Sequence, residues 1–122
     1  MGLSVIALGQ GVPFFHAGQD MLRSKSMDRD SYNSGDWFNR LDFSYAASNF
    51  GVGLPPAEKN RDRWQLMRPL LRRDDITPGE REIRSTHEHF KRMLRIRDSS
   101  PLFRLRSAEA IQSRLRFHNT GA

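Results

Sequence analysis

The chain has 122 residues, of which 37% are hydrophobic and 28% are charged, with a formal net charge of +6. This length permits one modest domain with a core of its own. No run of about 18 apolar residues occurs, so no membrane-spanning segment is predicted. The chain contains no cysteine, which excludes disulfides and thiolate metal sites.

The excess positive charge lies apart from residues 23–40, a polar segment that contains several aromatic residues. Residues 20–42 carry four basic and five acidic side chains, whereas residues 58–106 carry fourteen basic and eight acidic ones. A nucleic-acid site concentrates Lys and Arg beside its aromatic residues. This separation argues against nucleic acid as a partner, and the excess charge is better explained as the solvated surface of helices.

The first half of the chain predicts a helix, a strand and a very long loop. Residues 3–9 are apolar and stop at glycines, which predicts the buried end of a helix. Residues 12–16 are apolar and bounded by glycines, which predicts a short strand buried on both faces, as in parallel sheets. Residues 17–57 are predicted as loop, with one helical turn near residues 20–25. Loops of this length are usually functional or disordered, and the aromatics embedded in residues 23–40 favour a binding loop.

The second half predicts helices followed by a strand. Pro55 and Pro56 precede a predicted helix over residues 57–71. Thr77 and Glu80 have the spacing of a capping box, and the apolar stripe that follows predicts a helix over residues 80–97, ended by residues 99–101. At the end of the chain Ile111, Leu115 and Phe117 alternate with polar residues, which predicts a strand with one solvated face.

Five ordered blocks of this sequence closely resemble the pullulanases and limit dextrinases. These are α-1,6-glucan debranching enzymes of glycoside hydrolase family 13, in the α-amylase superfamily. The resemblance covers nearly the whole chain and rests on QGVPFFHAG (10–18), RSKSMDRDSY (23–32), SGDWFNR (34–40), GVGLPPAEKN (51–60) and SSPLFRL (99–105).

The resemblance implies an α/β fold, namely the C-terminal end of a (β/α)8 TIM barrel that continues into a β-sandwich. Residues 12–16 would be the eighth strand, residues 17–57 its loop on the ligand-binding face, and residues 80–97 the eighth helix. Residues 1–105 would therefore belong to the catalytic barrel. Residues 106–122 would contain the first strand of a truncated all-β domain.

The same resemblance implies that the chain contains no catalytic residue. In this superfamily the nucleophile aspartate, the acid/base glutamate and the third catalytic aspartate lie on or after strands four, five and seven, which would precede this chain. Retaining hydrolysis requires both a nucleophilic and an acidic carboxyl group. The isolated chain is therefore expected to be inactive, with an absent N-terminal barrel segment as its partner.

The expected role of this chain is substrate binding by Asp36, Arg40, Asn39 and Trp37. Glucose units present hydroxyl groups and apolar faces, which carboxylates, amides, guanidiniums and aromatic planes recognise. By resemblance, Asp36 and Arg40 match residues that hydrogen-bond an α-glucan such as pullulan, limit dextrin, branched starch or glycogen. Trp37 more naturally shapes the wall of the site than stacks on a sugar. The alternative is structural: Asp36 and Arg40 pair with each other, or with Asp28 and Arg29, to hold the loop.

No metal or cofactor is expected. His87 and His89 are two residues apart on a predicted helix, so they point to different sides and cannot share a metal. Asp28, Arg29 and Asp30 are expected to brace the loop. The alternative to a debranching enzyme is a non-catalytic truncated product or an α-glucan-binding remnant.

Overall fold

The computed structural model describes residues 1–118, and helices joined by irregular segments make up this part of the chain. Its α-helices are α1 (Gly2–Leu8), α2 (Gly35–Asn39), α3 (Ala57–Asn60), α4 (Trp64–Leu70), α5 (Glu80–Asp98) and α6 (Ala108–Arg114). Short 3₁₀ turns lie at Gln19–Met21, Arg61–Arg63, Asp74–Ile76 and Pro101–Arg104. None of the helices within residues 1–118 is both long and apolar enough to span a membrane.

The chain forms two compact units. The first combines Met1–Phe15 with the chain from Phe90 onward, and the second is His16–His89. The long α5 helix therefore contributes its first residues to the second unit and its last residues to the first.

A buried arginine organises the first unit. The guanidinium of Arg97 donates to the carbonyl of Ala7 at 2.9 Å, to that of Gly9 at 2.7 Å, and to that of Gly11. These carbonyls lie at and just beyond the C-terminal end of α1, where backbone acceptors have no partner within the helix and the dipole favours a cation. Arg97 thus joins α5 to α1, and Phe15 packs edge-on against Phe90 with ring centroids 4.8 Å apart.

The second unit is built around a small apolar core and many side-chain to backbone hydrogen bonds. Its buried apolar side chains are Met21, Phe38, Met67, Leu71 and Ile83. Ile83 places the first half of α5 in this core, whereas Phe38 does the same for α2. The long segment between them is held largely by polar contacts.

The predicted α/β fold is wrong, because no strand occurs among residues 1–118 and their regular structure is helical. The segment 12–16, predicted as the last strand of a TIM barrel, is irregular. A strand requires a neighbour that completes its hydrogen-bond ladder, and no such neighbour occurs in the described residues. Val12 and Phe14 are consequently 79% and 84% exposed, rather than buried on both faces.

The strand predicted near the C-terminus, and with it the start of a β-sandwich, is also wrong. The hydroxyl oxygen of Ser107 accepts the N–H of Ala110 at 3.1 Å and caps α6. Ile111 and Leu115 alternate with polar residues, but they are also four residues apart, and the N–H of Leu115 donates to the carbonyl of Ile111 at 2.8 Å. The apolar residues fit both the two-residue period of a strand and the four-residue spacing of a helix, and the N-cap at Ser107 favours the helix. Residues 119–122 of the predicted segment lie outside the described residues, and the boundary at residue 106 stays a prediction.

The predicted helix at residues 3–9 and the long helix that ends before Ser99 are confirmed. The burial predicted for the first of them is wrong, because Ala7 is its one buried residue and Val5 and Ile6 are exposed.

The capping box predicted for Thr77 and Glu80 is wrong. Thr77 donates its hydroxyl to the carbonyl of Arg73 at 2.8 Å, whereas the N–H of Gly79 donates to the carboxylate of Glu82 at 3.2 Å. The Gly79–Glu82 bond is one half of a capping box, and glycine has no side chain to make the reciprocal bond.

The helix predicted over residues 57–71 is interrupted by the turn Arg61–Arg63. The amide of the fully buried Asn60 donates to the carbonyl of Pro56, four residues earlier, at 2.9 Å. A side chain that occupies the i−4 carbonyl competes with the helical hydrogen bond there. Asn60 thus ends α3 and redirects the chain into α4.

Gly51 allows the loop to approach α4 closely. Its backbone has φ +72°, and a Cβ built there would lie 2.6 Å from the carbonyl oxygen of Leu71. Both the left-handed backbone and the contact with a rigid backbone atom favour glycine at this position.

We expect Gly51→Ala to lower the free energy of unfolding by about 1–3 kcal/mol, because it adds backbone strain and a clash. Gly11→Ala is the matched control, since Gly11 also has positive φ (+87°) but open space around its missing Cβ. Urea denaturation followed by circular dichroism measures both. Equal losses in the two variants would show that the approach to Leu71 contributes nothing.

Candidate functional site

The helix α2 presents polar and aromatic side chains to solvent at the centre of the long loop. Phe38 is buried and anchors the helix, whereas Asp36, Trp37 and Arg40 are exposed. Trp37 is 61% exposed, so its indole offers apolar surface to solvent. One helical turn therefore separates an inward anchor from an outward set of binding-type side chains.

All four residues predicted to bind substrate line one open depression. Asp36, Trp37, Asn39 and Arg40 surround a space of ≈ 400 Å³. The structure thus brings together a carboxylate, an indole, an amide and a guanidinium on one side of α2.

Asp36 and Arg40 are available for an external partner. Within residues 1–118 neither side chain makes a hydrogen bond or an ion pair, so the structural alternative in which they pair with each other or with Asp28 and Arg29 is not what is observed. Arg40 instead lies near Asp42, whose pKa is lowered by hydrogen bonds from the hydroxyl and N–H of Ser44 and the N–H of Ala47, with a contribution from the Arg40 charge.

Asn39 has an internal role. Its amide nitrogen donates to the carbonyl of Ser31 at 2.9 Å and to that of Gly35 at 3.0 Å. These bonds use both amide hydrogens and leave only the side-chain oxygen for a ligand. The side chain thereby ties the end of α2 to the segment that precedes it.

A hydrogen-bond cluster around Asp28 braces the loop, as expected for this residue. Asp28 accepts from the buried amide of Asn60 at 2.9 Å, from the hydroxyl of Ser34, and from the N–H of Asp30 at 3.2 Å. Desolvation by burial raises the pKa of Asp28, but the hydrogen bonds from Ser34, Asn60 and Asp30, with the charge of Lys25, outweigh it and lower the pKa overall.

Arg29 extends the brace along α3. Its N–H donates to the side-chain oxygen of Asn60 at 3.2 Å, and its guanidinium pairs with Asp62 at 2.8 Å and also donates to the carbonyl of Lys59. Asp28 and Arg29 therefore both act on the region around Asn60. Asp30 contributes through its backbone.

Two side chains to which the sequence analysis assigned no role contact the backbone of α2. The amide of Asn49 donates to the carbonyl of Trp37 at 3.0 Å, and the guanidinium of Arg23 donates to the carbonyl of Asn39 at 2.7 Å. Asn49 lies in a Ser-Asn-Phe-Gly run that is typical of turns, which is the only local pattern that marks it.

The histidines have structural surroundings. His87 contacts the carboxylate of Asp20 through Nδ1 at 2.7 Å and the hydroxyl of Tyr45 through Nε2 at 3.3 Å. Arg84 lies over the ring of Tyr45 at 5.1 Å. No group of three or more His, Asp or Glu side chains in the described part of the chain is placed to hold a metal ion. His16, at the end of the predicted strand, is exposed.

Comparison with family models identifies residues 45–122 with the family described as "Alpha-1,6-glucosidases, pullulanase-type, C-terminal". Two curated relatives are similar over nearly the whole chain. Pullulanase 1, chloroplastic, from Arabidopsis thaliana is 63% identical over 97% of this chain and 12% of its own length. Pullulanase from Klebsiella pneumoniae is 38% identical over 100% of this chain and 11% of its own. The chain thus spans only a small part of these relatives.

Solved structures agree with the sequence comparisons. The apo pullulanase of Klebsiella pneumoniae superposes with a TM-score of 0.75 at 40% identity, covering 84% of this chain and 11% of that one. The structure of the same organism's pullulanase complexed with maltotriose gives a TM-score of 0.75 at 40% identity and covers 84% of this chain and 10% of that one.

We expect Asp28→Asn to lower the free energy of unfolding by about 1 kcal/mol at pH 7, because the carboxylate accepts hydrogen bonds that an amide cannot all replace. The folded pKa of Asp28 lies below its ordinary value of 3.8. Its ionised form therefore stabilises the fold above pH 3.8, and this contribution is lost as the pH falls through the folded pKa. The difference between wild type and variant should shrink correspondingly below that pH.

Urea denaturation at several pH values between 2 and 7 tests this dependence. Asp30→Asn, an identical charge change on an exposed side chain two residues away, is the control. A wild-type to Asp28→Asn difference that stays constant down to pH 2 would contradict the assignment.

Proposed function

The chain belongs to the pullulanase-type alpha-1,6-glucosidase family, and on this premise we propose that it is part of a starch-debranching enzyme and contacts the α-glucan substrate. The contact is made by Asp36, Arg40 and Trp37, with Asn39 holding the helix that carries them. The relatives' name supplies the substrate class, pullulan and related branched α-glucans. One observation carries the proposal: the exposed side chains of Asp36, Trp37 and Arg40 line one open depression, and neither Asp36 nor Arg40 makes a hydrogen bond or an ion pair inside the described residues.

The chemistry of these side chains suits a carbohydrate. A carboxylate accepts hydrogen bonds from sugar hydroxyls, and a guanidinium donates to hydroxyl and ring oxygens. Both atom sets stay hydrated until the sugar arrives, so binding exchanges one set of hydrogen bonds for another. The charges of Asp36 and Arg40 strengthen these hydrogen bonds, and the positions of the two side chains select which sugar hydroxyls they reach. The exposed indole adds an apolar surface at the same depression.

The site carries binding and not bond cleavage. Retaining glycosidases place two carboxyl groups about 5–5.5 Å apart, one as nucleophile and one as acid. Asp36 is the one carboxylate among the four side chains that line the depression. Arg40 and Asn39 cannot take either role, so the catalytic carboxyls of the proposed enzyme are supplied by parts of the relatives that this chain does not span.

We expect the chain to bind maltotriose, with Asp36→Asn and Arg40→Gln each weakening the affinity about tenfold, because each removes hydrogen bonds to a charged partner. Titration with maltotriose, followed by changes in the NMR amide signals of α2, measures the dissociation constant.

The controls make the same chemical changes on exposed side chains outside the depression. Asp74→Asn matches the acidic variant, and Arg72→Gln matches the basic one. Absence of maltotriose binding by the wild-type chain, or equal losses in test and control variants, would refute the assignment of α2 as a glucan contact.

We also expect the 122-residue chain to release no maltotriose from pullulan, because its site has one carboxylate where the reaction requires two. Chromatography of the sugars after prolonged incubation provides the measurement, with an intact bacterial pullulanase as positive control. Release above the enzyme-free blank would show that a second catalytic carboxyl is present.

A further inference from the structure

We infer that Asn49 and Arg23 are positioning residues for the glucan contact, because their side chains cap the C-terminal carbonyls of α2 and fix its orientation. This inference rests on the proposed function, since it concerns how the proposed site is held. Neither residue is among the four side chains that line the depression.

A helix as short as α2 cannot satisfy its C-terminal carbonyl groups by its own hydrogen bonds. The last four carbonyls of a helix have no partner within it, and Gly35–Asn39 has only five residues. Helices of this length are not stable by propensity alone. Its geometry therefore depends on groups outside it that accept or donate hydrogen bonds at its ends.

Asn49 supplies one of these groups. Its amide donates to the carbonyl of Trp37 at 3.0 Å, from a backbone with φ +66°. Asparagine is one of the few residues besides glycine that adopt this conformation readily. The preceding Ser48 is itself fixed, since it is buried and its carbonyl accepts the N–H of Ser24 at 2.6 Å. The side-chain amide of Asn49 thus connects a rigid segment to the carbonyl of Trp37, one of the α2 carbonyls that have no partner within the helix.

Arg23 supplies the second group. One terminal nitrogen donates to the carbonyl of Asn39 at 2.7 Å and the other to the carbonyl of Ala17 at 3.2 Å. Its aliphatic stem crosses Gly18, where an added Cβ would lie 2.7 Å from the Arg23 Cδ. The planar guanidinium therefore spans two backbone segments from a fixed path, which the single ammonium of a lysine cannot do.

The two caps act on the exposed residues jointly. The carbonyls of Trp37 and Asn39 lie in the same helical turn as the Asp36 side chain, and Arg40 follows directly. A rotation of α2 therefore moves the carboxylate, the indole and the guanidinium together. Because the strength of a hydrogen bond depends steeply on its distance and angle, loss of a cap weakens glucan binding through the displaced side chains of α2 and Arg40.

The test compares Asn49→Asp with Asn33→Asp in the full 122-residue chain. Aspartate tolerates the left-handed backbone but replaces the donor with an acceptor that faces the Trp37 carbonyl. Asn33→Asp makes the same change on an exposed side chain. We expect Asn49→Asp to weaken maltotriose affinity about tenfold and Asn33→Asp less than twofold. Arg23→Lys, compared with Arg72→Lys, should show the same contrast.

A spectroscopic readout separates positioning from general destabilisation. The ¹³C shift of the Trp37 carbonyl reports whether that oxygen still accepts a hydrogen bond, and it should move in Asn49→Asp while amide signals of α6 stay in place. Wild-type affinity in Asn49→Asp, or an unmoved Trp37 carbonyl, would overturn the inference. If wild type and Asp36→Asn fail to differ in maltotriose affinity, the glucan proposal fails instead, and the Trp37 carbonyl alone decides whether Asn49 caps α2.

Discussion

The second unit depends on the hydrogen bond between the buried amide of Asn60 and the carboxylate of Asp28. Asn60 uses its whole side chain, because the amide donates to Asp28 and to the carbonyl of Pro56 while the oxygen accepts from the N–H of Arg29. This set of bonds ends α3 and fixes the loop residues that lead to α2. Since Asn60 is fully buried, losing either partner would leave a desolvated polar group, so the cluster is stable only when complete.

Polar contacts of this kind replace much of the apolar core. The second unit buries few large apolar side chains. Three side-chain hydrogen bonds hold its long loop: Lys25 donates to the hydroxyl of Ser31, Ser26 to the carbonyl of Gly53, and Trp64 to the carbonyl of Pro55. Each bond contributes little on its own because it replaces a hydrogen bond to water. The bonds from Ser26 and Trp64 satisfy backbone carbonyls and the bond from Lys25 joins two side chains, and together such contacts hold a long loop with almost no regular structure in one conformation.

The sequence predicted α1 and α5 correctly but predicted the wrong fold class, and the substrate-binding role of Asp36, Trp37, Asn39 and Arg40 stays a prediction. The apolar periodicity of α5 and the glycines that end α1 are local patterns, so both could be read from the sequence. The strand predicted at 12–16 would need a neighbouring strand to complete its hydrogen-bond ladder, and the local sequence does not supply one. Around Ile111 the Ser107 cap favours a helix over the predicted strand. The composition of residues 36–40 led to the proposed binding surface, but Asn49 and Arg23, which hydrogen-bond the backbone of α2, lie 12 and 16 residues from the carbonyls they contact. No local pattern encodes such distant contacts.

The residues of α2 and its C-cap fall into an inward-facing set and an outward-facing set. Phe38 and the amide of Asn39 face the protein and satisfy its packing and hydrogen bonds, so Asp36 and Arg40 need no internal partner. If the two charged side chains had been used to brace the loop, their release on ligand binding would have cost the stability they provided. Asp28 and Arg29 perform that bracing instead, through Asn60 and Asp62. Asp28 and Arg29 therefore brace the loop, and the ligand contact that we propose for Asp36 and Arg40 would not break any hydrogen bond that holds the structure presenting them.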